Sequence, residues 1–137
     1  MSSKTVLTVG VFDLLHWGHF ELFRRAKELA GEGGRLVVAV QRDDYVTKFK
    51  DVKLVYTWEQ RAKMIAALRY VDEVVPYTAV DETIKTLDFT CFAVGADQSH
   101  AGFQRAKDWC VAHGREVVVL ERTAGVSSSQ IREGALK

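Results

Sequence analysis

The sequence predicts an α/β fold in which five parallel strands form one sheet between layers of helices. Short runs rich in β-branched residues alternate with longer segments of helical period, as in repeated strand–helix–strand units. Several runs are almost wholly apolar, which is typical of strands buried on both faces. With 137 residues, one proline and 47% apolar residues, the chain has the size of one globular domain, and we expect 1–137 to form it.

The strands are predicted where β-branched and apolar residues cluster between turn-forming residues. In chain order, these five segments are residues 5–11, 35–40, 73–77, 89–94 and 116–120.

The first helix is predicted after the first strand, where apolar residues recur at helical spacing. These residues are Leu22, Phe23, Ala26, Leu29 and Ala30. Three glycines, Gly31, Gly33 and Gly34, follow and end the helix, because glycine adopts left-handed dihedral angles at little steric cost.

The second helix is predicted to begin at Thr57, whose hydroxyl can form a capping box with Gln60, and to end near Arg69. Its buried side is expected to contain Met64, Ile65 and Leu68. The remaining helices are expected at 81–87, at 102–113 and from Ser127 onward, where Gln130 completes a second possible capping box.

Charge and cysteine content exclude several classes of protein. Lysine and arginine total 19 against 18 acidic residues, so the basic excess typical of nucleic-acid binders is missing. Cys91 and Cys110 form no CxxC pair, and we expect both to be buried thiols in a reducing cytoplasm. The apolar stretch 5–12 ends at Asp13 without a cleavage pattern, so we expect neither export nor membrane insertion.

Two histidines stand three residues apart where the first strand leads into the first helix. His16 and His19 would share a helix face beside unpaired N–H groups and the positive end of the helix dipole, so they are placed to flank a phosphate. Gly18 between them would let phosphate oxygens approach the backbone. A surface pair or metal ligands are the alternatives, but a closed zinc site needs four ligands and neither cysteine has a matching spacing.

A second phosphate-binding segment is predicted at 122–129, between the last strand and the last helix. It offers backbone N–H groups, serine hydroxyls and the guanidinium of Arg122. Because loops that follow parallel strands lie at the same sheet edge, the two distant segments can form one pocket. The alternatives are that Ser127 only caps a helix and that Arg122 is a solvated charge.

The segments 10–19, 58–75 and 122–128 together resemble the small HxGH nucleotidyltransferases, which have a Rossmann-like fold, and most closely the glycerol-3-phosphate cytidylyltransferase family. The resemblance implies transfer of CMP from CTP to a small phosphorylated alcohol, with release of pyrophosphate and with Mg²⁺ bound together with CTP. It also implies a homodimer, with a dimer contact near 69–74, and a role in making a bacterial surface polymer such as teichoic acid.

The same resemblance assigns roles to individual residues. The catalytic residues are implied to be His16, His19, Lys48 and Arg122. Contacts with the nucleotide are implied for Gly10, Val11, Phe12, Asp13, Gly18, Asp97, Thr123, Gly125, Val126, Ser127 and Ser128. Contacts with the acceptor are implied for Lys48, Lys50 and Arg61. His100 is a further candidate for an acceptor contact from its own loop, with an exposed loop histidine as the alternative. No metal ligand from the protein is implied.

Three alternatives remain at this point. The serine run 127–129 is shared with adenylyltransferases, so ATP could replace CTP. The loop 97–102 departs from the family pattern, so the acceptor could be another phosphorylated polyol, an amino alcohol or a sugar. A module that binds a nucleotide without catalysis is the third alternative, and the intact histidine pair argues against it.

Overall fold

The computed structural model describes residues 4–43, 54–96 and 98–121. The strands are β1 (Thr5–Gly10), β2 (Arg35–Gln41), β3 (Glu73–Tyr77), β4 (Cys91–Gly95) and β5 (Glu116–Leu120). The helices are α1 (Trp17–Ala30), α2 (Trp58–Ala66), α3 (Val80–Thr83), which continues as the 3₁₀ turn Ile84–Thr86, and α4 (Ala101–Ala112). Each predicted strand is confirmed to within two residues.

All strands are parallel and form one sheet in the order β3-β2-β1-β4-β5, which confirms the predicted fold class. The chain winds outward from β1 in one direction through β2 and β3, and in the other through β4 and β5. The strand order therefore reverses between β1 and β4, and ligands of such sheets bind beside the carboxyl ends of the strands at that point.

Two apolar clusters cover the two faces of the sheet, because successive strand residues point to opposite sides. Val6 of β1 packs with Phe23 of α1 and Ile65 of α2 on one face. On the other, Leu7 packs with Phe103 of α4. Among the described helices, none is long and apolar enough to cross a membrane.

Both cysteines are buried, as predicted. Cys91 belongs to the cluster beside α1, and Cys110 to the cluster beside α4. Burial raises the pKa of each thiol to about 11, because the protein interior disfavours the thiolate. These side chains are therefore core residues and not nucleophiles.

The helix ends largely follow the sequence signals. Gly31 ends α1 with a φ of 74°. The predicted capping box of α2 is present, since Thr57 Oγ1 accepts the Gln60 N–H at 3.2 Å and Gln60 Oε1 accepts the Thr57 N–H at 3.0 Å. The helix predicted from Ser127 lies outside the described residues.

The prediction that α2 continues to Arg69 is wrong, because the helix ends at Ala66. Tight turns follow, in which the N–H groups of Leu68 and Val71 donate to carbonyls three residues earlier. Of the three residues predicted for the buried side of this helix, Ile65 is fully buried, whereas Met64 and Leu68 are only partly buried.

Asp72 follows these turns and anchors the chain to β2 and α1. Its carboxylate accepts the backbone N–H of Leu36 and the ammonium of Lys27, each at 2.7 Å. Its own N–H donates to the Leu36 carbonyl at 2.9 Å. Asp72 therefore fixes the start of β3 against β2 and α1. The dimer contact implied for 69–74 stays a prediction.

Candidate active site

The turn after β1 is shaped by Gly10 and Phe12. A Cβ atom on Gly10 would lie 2.6 Å from the Phe12 ring, so only glycine lets that ring fold back over the strand end. Phe12 adopts a φ of 54°, a left-handed conformation that is costly for a phenylalanine. Its buried ring makes edge contacts with the rings of His19 and Phe23, both at 5.2 Å between centroids. The strained turn thereby supports one side of His19.

The structure brings the two predicted histidines together at the first turn of α1. His16 is the N-cap residue, and its Nδ1 accepts the Gly18 N–H at 3.0 Å. In return, His19 Nδ1 accepts the His16 N–H at 3.3 Å. The rings stack with centroids 3.9 Å apart and an interplanar angle of 25°. This is a capping box in which imidazoles replace the usual hydroxyl and carboxyl groups.

These hydrogen bonds define which nitrogen carries the proton. A ring nitrogen that accepts a hydrogen bond is unprotonated, so each neutral imidazole carries its proton on Nε2. Burial, together with a smaller contribution from the nearby His16, lowers the pKa of His19 to about 4. Near neutral pH, His19 is therefore an uncharged ring with one N–H donor, at Nε2.

Gly18 lies between the two histidines, and its expected role is to let phosphate oxygens approach the backbone. Its N–H is used inside the turn, as the donor to His16 Nδ1. Close approach of a phosphate to the Gly18 Cα stays a prediction.

Asp13 holds this turn against the start of α2. Its buried carboxylate accepts the N–H of Val55 at 2.9 Å and that of Tyr56 at 2.9 Å. The segment 44–53 lies outside the described residues, and the chain beyond it is anchored beside the histidine turn. The observed contacts of Asp13 are with the backbone, and its implied nucleotide contact stays a prediction.

Arg61 joins three segments at the same sheet edge, and its side chain is fully buried. Its Nη1 donates to the carbonyls of Val11 and Gln41, each at 2.8 Å. Its Nε donates to the Tyr56 carbonyl at 3.3 Å, and its Nη2 donates to the carboxylate of Asp43. These bonds make Arg61 a support for the ends of β1 and β2, and the acceptor contact that the resemblance implied stays a prediction.

On the other side of the reversal point, His100 caps α4. Its Nδ1 accepts the Gly102 N–H at 3.1 Å, and its ring lies 4.6 Å from that of Phe103. His100 is exposed, and its implied contact with the acceptor stays a prediction.

Gln98 is the residue at this edge that sequence reasoning missed. Its side-chain amide donates to the Val9 carbonyl at 2.8 Å and accepts the Gly95 N–H at 3.0 Å. It thereby connects the ends of β1 and β4. The only sequence signal is a polar residue three positions after a glycine that ends a strand, which is too common to be informative.

Several predicted site residues lie outside the described part of the chain. They are Lys48, Lys50, Asp97, Arg122, Thr123, Gly125, Val126, Ser127 and Ser128. The residue before Arg122 is nevertheless placed, because Arg25 of α1 donates to the Glu121 carbonyl at 3.0 Å. The chain thus enters the serine segment beside the helix that carries the histidine pair.

The comparisons with known proteins agree with this geometry. The family model described as cytidylyltransferase-like matches residues 7–134. The glycerol-3-phosphate cytidylyltransferase of Staphylococcus aureus is 38% identical over 95% of this chain and 93% of its own, and that of Bacillus subtilis is 39% identical over 95% of both. An FAD synthase of Thermococcus kodakarensis is 43% identical over 68% of this chain and 62% of its own.

A solved structure supports the fold. The lipopolysaccharide core biosynthesis protein from Thermoplasma volcanium superposes with a TM-score of 0.71 at 23% identity, over 89% of this chain and 98% of that one. The sheet order, the paired histidines at the start of α1 and the family match along nearly the whole sequence lead to one conclusion: the chain belongs to the cytidylyltransferase-like family.

Proposed function

We propose that the protein is a nucleotidyltransferase that transfers CMP from CTP to glycerol 3-phosphate, giving CDP-glycerol and pyrophosphate. The observation that carries this proposal is the histidine pair at the start of α1, in which each Nδ1 accepts a backbone N–H and the two rings stack. The choice of substrates is supported by the glycerol-3-phosphate cytidylyltransferases that align with 95% of the chain.

The reaction needs charge stabilisation more than proton transfer. A phosphate oxygen of the acceptor attacks the α-phosphorus of CTP, a new P–O bond forms, and the bond to the pyrophosphate oxygen breaks with its electron pair. Negative charge then spreads over the equatorial oxygens and the leaving group. Donors that are already oriented stabilise this charge without reorganising, and His19, a neutral imidazole fixed in one tautomer, meets that requirement.

The other roles are proposed from the family resemblance. Lys48 and Arg122 add positive charge, the serine segment holds the triphosphate, and Asp97 contacts the nucleotide. Lys50 and His100 are assigned to binding of the acceptor. We assign Asp13 and Arg61 to supporting the histidine turn, because their side chains bind backbone groups of neighbouring segments.

Magnesium is proposed to enter as part of the substrate, complexed with CTP. Mg²⁺ usually keeps several waters and binds phosphate oxygens with only one or two carboxylates. Within 4–43, 54–96 and 98–121 no group of three potential ligands is placed to hold a metal. Asp13 binds two backbone N–H groups and Asp43 binds Arg61, so the carboxylates at this edge support the protein. This donor set fits an ion held mainly by the triphosphate.

The test measures pyrophosphate release and product mass with glycerol 3-phosphate and either CTP or ATP. We expect turnover with CTP and a product with the mass of CDP-glycerol. His113→Ala is a suitable control for the histidine variants, because His113 is exposed at the end of α4, toward the opposite edge of the sheet. Nucleotide binding without any pyrophosphate release would leave only a non-catalytic module and would refute the proposal.

An adenylyltransferase is the second candidate. It is favoured by the serine run 127–129 and by the similarity to FAD synthases, which extends over a smaller part of the chain. Turnover with ATP and not with CTP would select it. Turnover with CTP on a different phosphorylated polyol, amino alcohol or sugar would keep the reaction and change the acceptor.

We further propose that the protein is a cytoplasmic homodimer that supplies an activated polyol for a surface polymer. The support for a dimer is an aromatic patch on the surface. Trp17 is 59% exposed and stacks on Phe20, which contacts Tyr70 within the segment that resembles the family's dimer contact. Light scattering of the purified protein tests the dimer, and a monomeric mass at micromolar concentration would refute it.

A further inference from the structure

Strands β1 and β4, which are neighbours in the sheet, separate at their carboxyl ends. In the described sheet the β1–β4 register covers Val6 with Cys91 and Leu7 with Phe92, whereas β1 remains paired with β2 as far as Gly10. Val9 and Gly95 therefore face a gap in the sheet at the point where the strand order reverses. A buried carbonyl and N–H at such a gap need partners.

The amide of Gln98 supplies both partners at once. Its Nε2 donates to the Val9 carbonyl and its Oε1 accepts the Gly95 N–H, so the side chain lies between the strands as an additional peptide group would. The Gln98 backbone N–H also donates to the Gly95 carbonyl at 3.0 Å, which closes the turn after β4. The side-chain amide thus bridges the two strand ends, and the backbone N–H closes the turn after β4.

We propose that Gln98 is a positioning residue that sets the width of the crevice between β1 and β4 and thereby the separation of the substrate-binding turns. This inference rests on the proposed function, because the crevice is where the nucleotide and the acceptor would meet. β1 leads through Gly10 to the histidine pair, and β4 leads through Gly95 to the turn that precedes α4.

The turn after β4 is also fixed on its other side. The Ala96 N–H donates to the Leu120 carbonyl at 2.9 Å, which holds the turn against β5. In the described structure, the Gln98 side chain connects this turn to β1. Loss of its amide would therefore let the turn move relative to the histidines while β4 and β5 stay paired. Small displacements of groups that position a substrate are costly for catalysis.

Three substitutions separate this role from a general effect on folding. Gln98→Met keeps the length and removes both hydrogen bonds, while Gln98→Glu keeps an acceptor for Gly95 and loses the donor to Val9. Gln104→Met is the matched control, because Gln104 is exposed on α4 and its amide donates only to Asp108 in the described structure, at 3.0 Å.

The first measurement compares KM and kcat for CTP and for glycerol 3-phosphate. We expect Gln98→Met and Gln98→Glu to raise KM for at least one substrate by about tenfold, as loss of positioning hydrogen bonds would. Gln104→Met should stay within about twofold of the unaltered protein. A purely structural role would reduce the folded fraction and lower kcat at unchanged KM, and that pattern would overturn the inference.

The second measurement is amide hydrogen exchange at Gly95, which does not depend on turnover. Faster exchange in Gln98→Met, with protection retained in Gln98→Glu, is the expected result. Unchanged exchange in Gln98→Met would also overturn the inference. If the unaltered protein transfers no nucleotide to any acceptor, the proposed function fails, and the exchange data still decide whether Gln98 holds the turn.

Discussion

His19 Nδ1 accepts the backbone N–H of His16, and the two imidazoles stack with centroids 3.9 Å apart. The bond that closes the first turn of α1 also fixes the tautomer of His19, and the Gly18 N–H does the same for His16. The same two hydrogen bonds therefore cap the helix and orient the Nε2 donors. Substitutions that preserve the cap and remove the donor separate the two roles.

His16→Asn is expected to lower kcat about 10²-fold with little loss of stability. Asparagine is a good N-cap residue, so its side-chain oxygen can accept the Gly18 N–H, but it has no group in the place of Nε2–H. His16→Ala removes both functions and should lose a similar factor in kcat and, in addition, about 1 kcal/mol of stability. Steady-state kinetics and thermal unfolding of both variants check this. Full activity in folded His16→Asn would remove His16 from the mechanism.

The stability of the protein is expected to fall as the pH drops from about 6.5 to 4. The folded-state pKa of His19 is about 4, below the ordinary value of 6.5, so the unfolded chain binds more protons between these values. Neutral His19 makes its full contribution to the free energy of unfolding above pH 6.5. This contribution, at most about 3 kcal/mol, is lost as the pH falls through 4.

Urea unfolding at pH 7 and pH 4.5 measures this dependence. His19→Gln is the control, since glutamine at the third helical position also completes a capping box and does not titrate. The difference in unfolding free energy between the two pH values should be smaller in His19→Gln than in the unaltered protein. Equal differences would show that His19 remains accessible to protons in the folded state.

Both thiols are expected to resist alkylation in the folded protein. The thiolate is the reactive form, and burial raises the pKa of Cys91 and Cys110 to about 11. Labelling by iodoacetamide at pH 8, followed by mass spectrometry, should add no group in buffer and two groups in urea. Rapid labelling in buffer would mean that one of the two apolar clusters opens readily.

Thr8 provides a test of packing beneath the site. Its hydroxyl is buried, and among the residues that the structure describes it has no hydrogen-bond partner. Thr8→Val replaces the hydroxyl with a methyl group of similar shape and is expected to leave stability unchanged or raise it by about 1 kcal/mol. Thr90→Val is the contrast, because Thr90 Oγ1 accepts the Thr5 N–H at 3.0 Å, and loss of this exposed bond should cost about 0.5–1.5 kcal/mol. Destabilisation by both variants alike would point to a partner for Thr8.

The sequence was sufficient to predict the elements that depend on local patterns. The strands are visible as apolar runs, and the cap at Thr57 and Gln60 is visible as a three-residue spacing. The early end of α2 was not predictable in this way. Beyond it the chain is held by Asp72, which binds Leu36, a residue far away in the sequence, and no local propensity encodes that bond.

The same distinction between local patterns and distant contacts applies to the residues of the candidate site. The histidine pair was predictable because its geometry follows from the start of a single helix. Gln98 was missed because its function arises where β1 and β4 separate, which only the assembled sheet defines. The interpretation of Arg61 as an acceptor ligand came from resemblance, whereas its partners belong to segments that meet only after folding.

Arg61→Met is expected to be strongly destabilising, and this distinguishes a supporting role from acceptor binding. The guanidinium is fully buried and binds the Val11 and Gln41 carbonyls and the Asp43 carboxylate, so its loss leaves several polar groups unpaired. A buried polar group that loses its partner typically costs about 1–3 kcal/mol, and Arg61 serves two carbonyl groups at once. Arg105→Met is the control, because Arg105 is exposed and its pair with Asp81 on the surface should contribute at most about 1 kcal/mol.

Urea unfolding of both variants gives the two free energies. Where Arg61→Met remains folded, KM for both CTP and glycerol 3-phosphate should change, because the carbonyl groups it binds lie at the ends of β1 and β2 and not beside one substrate. A variant as stable as the unaltered protein, with a raised KM for glycerol 3-phosphate alone, would show that Arg61 binds the acceptor. That result would require the guanidinium to leave its buried carbonyl partners when the substrate binds.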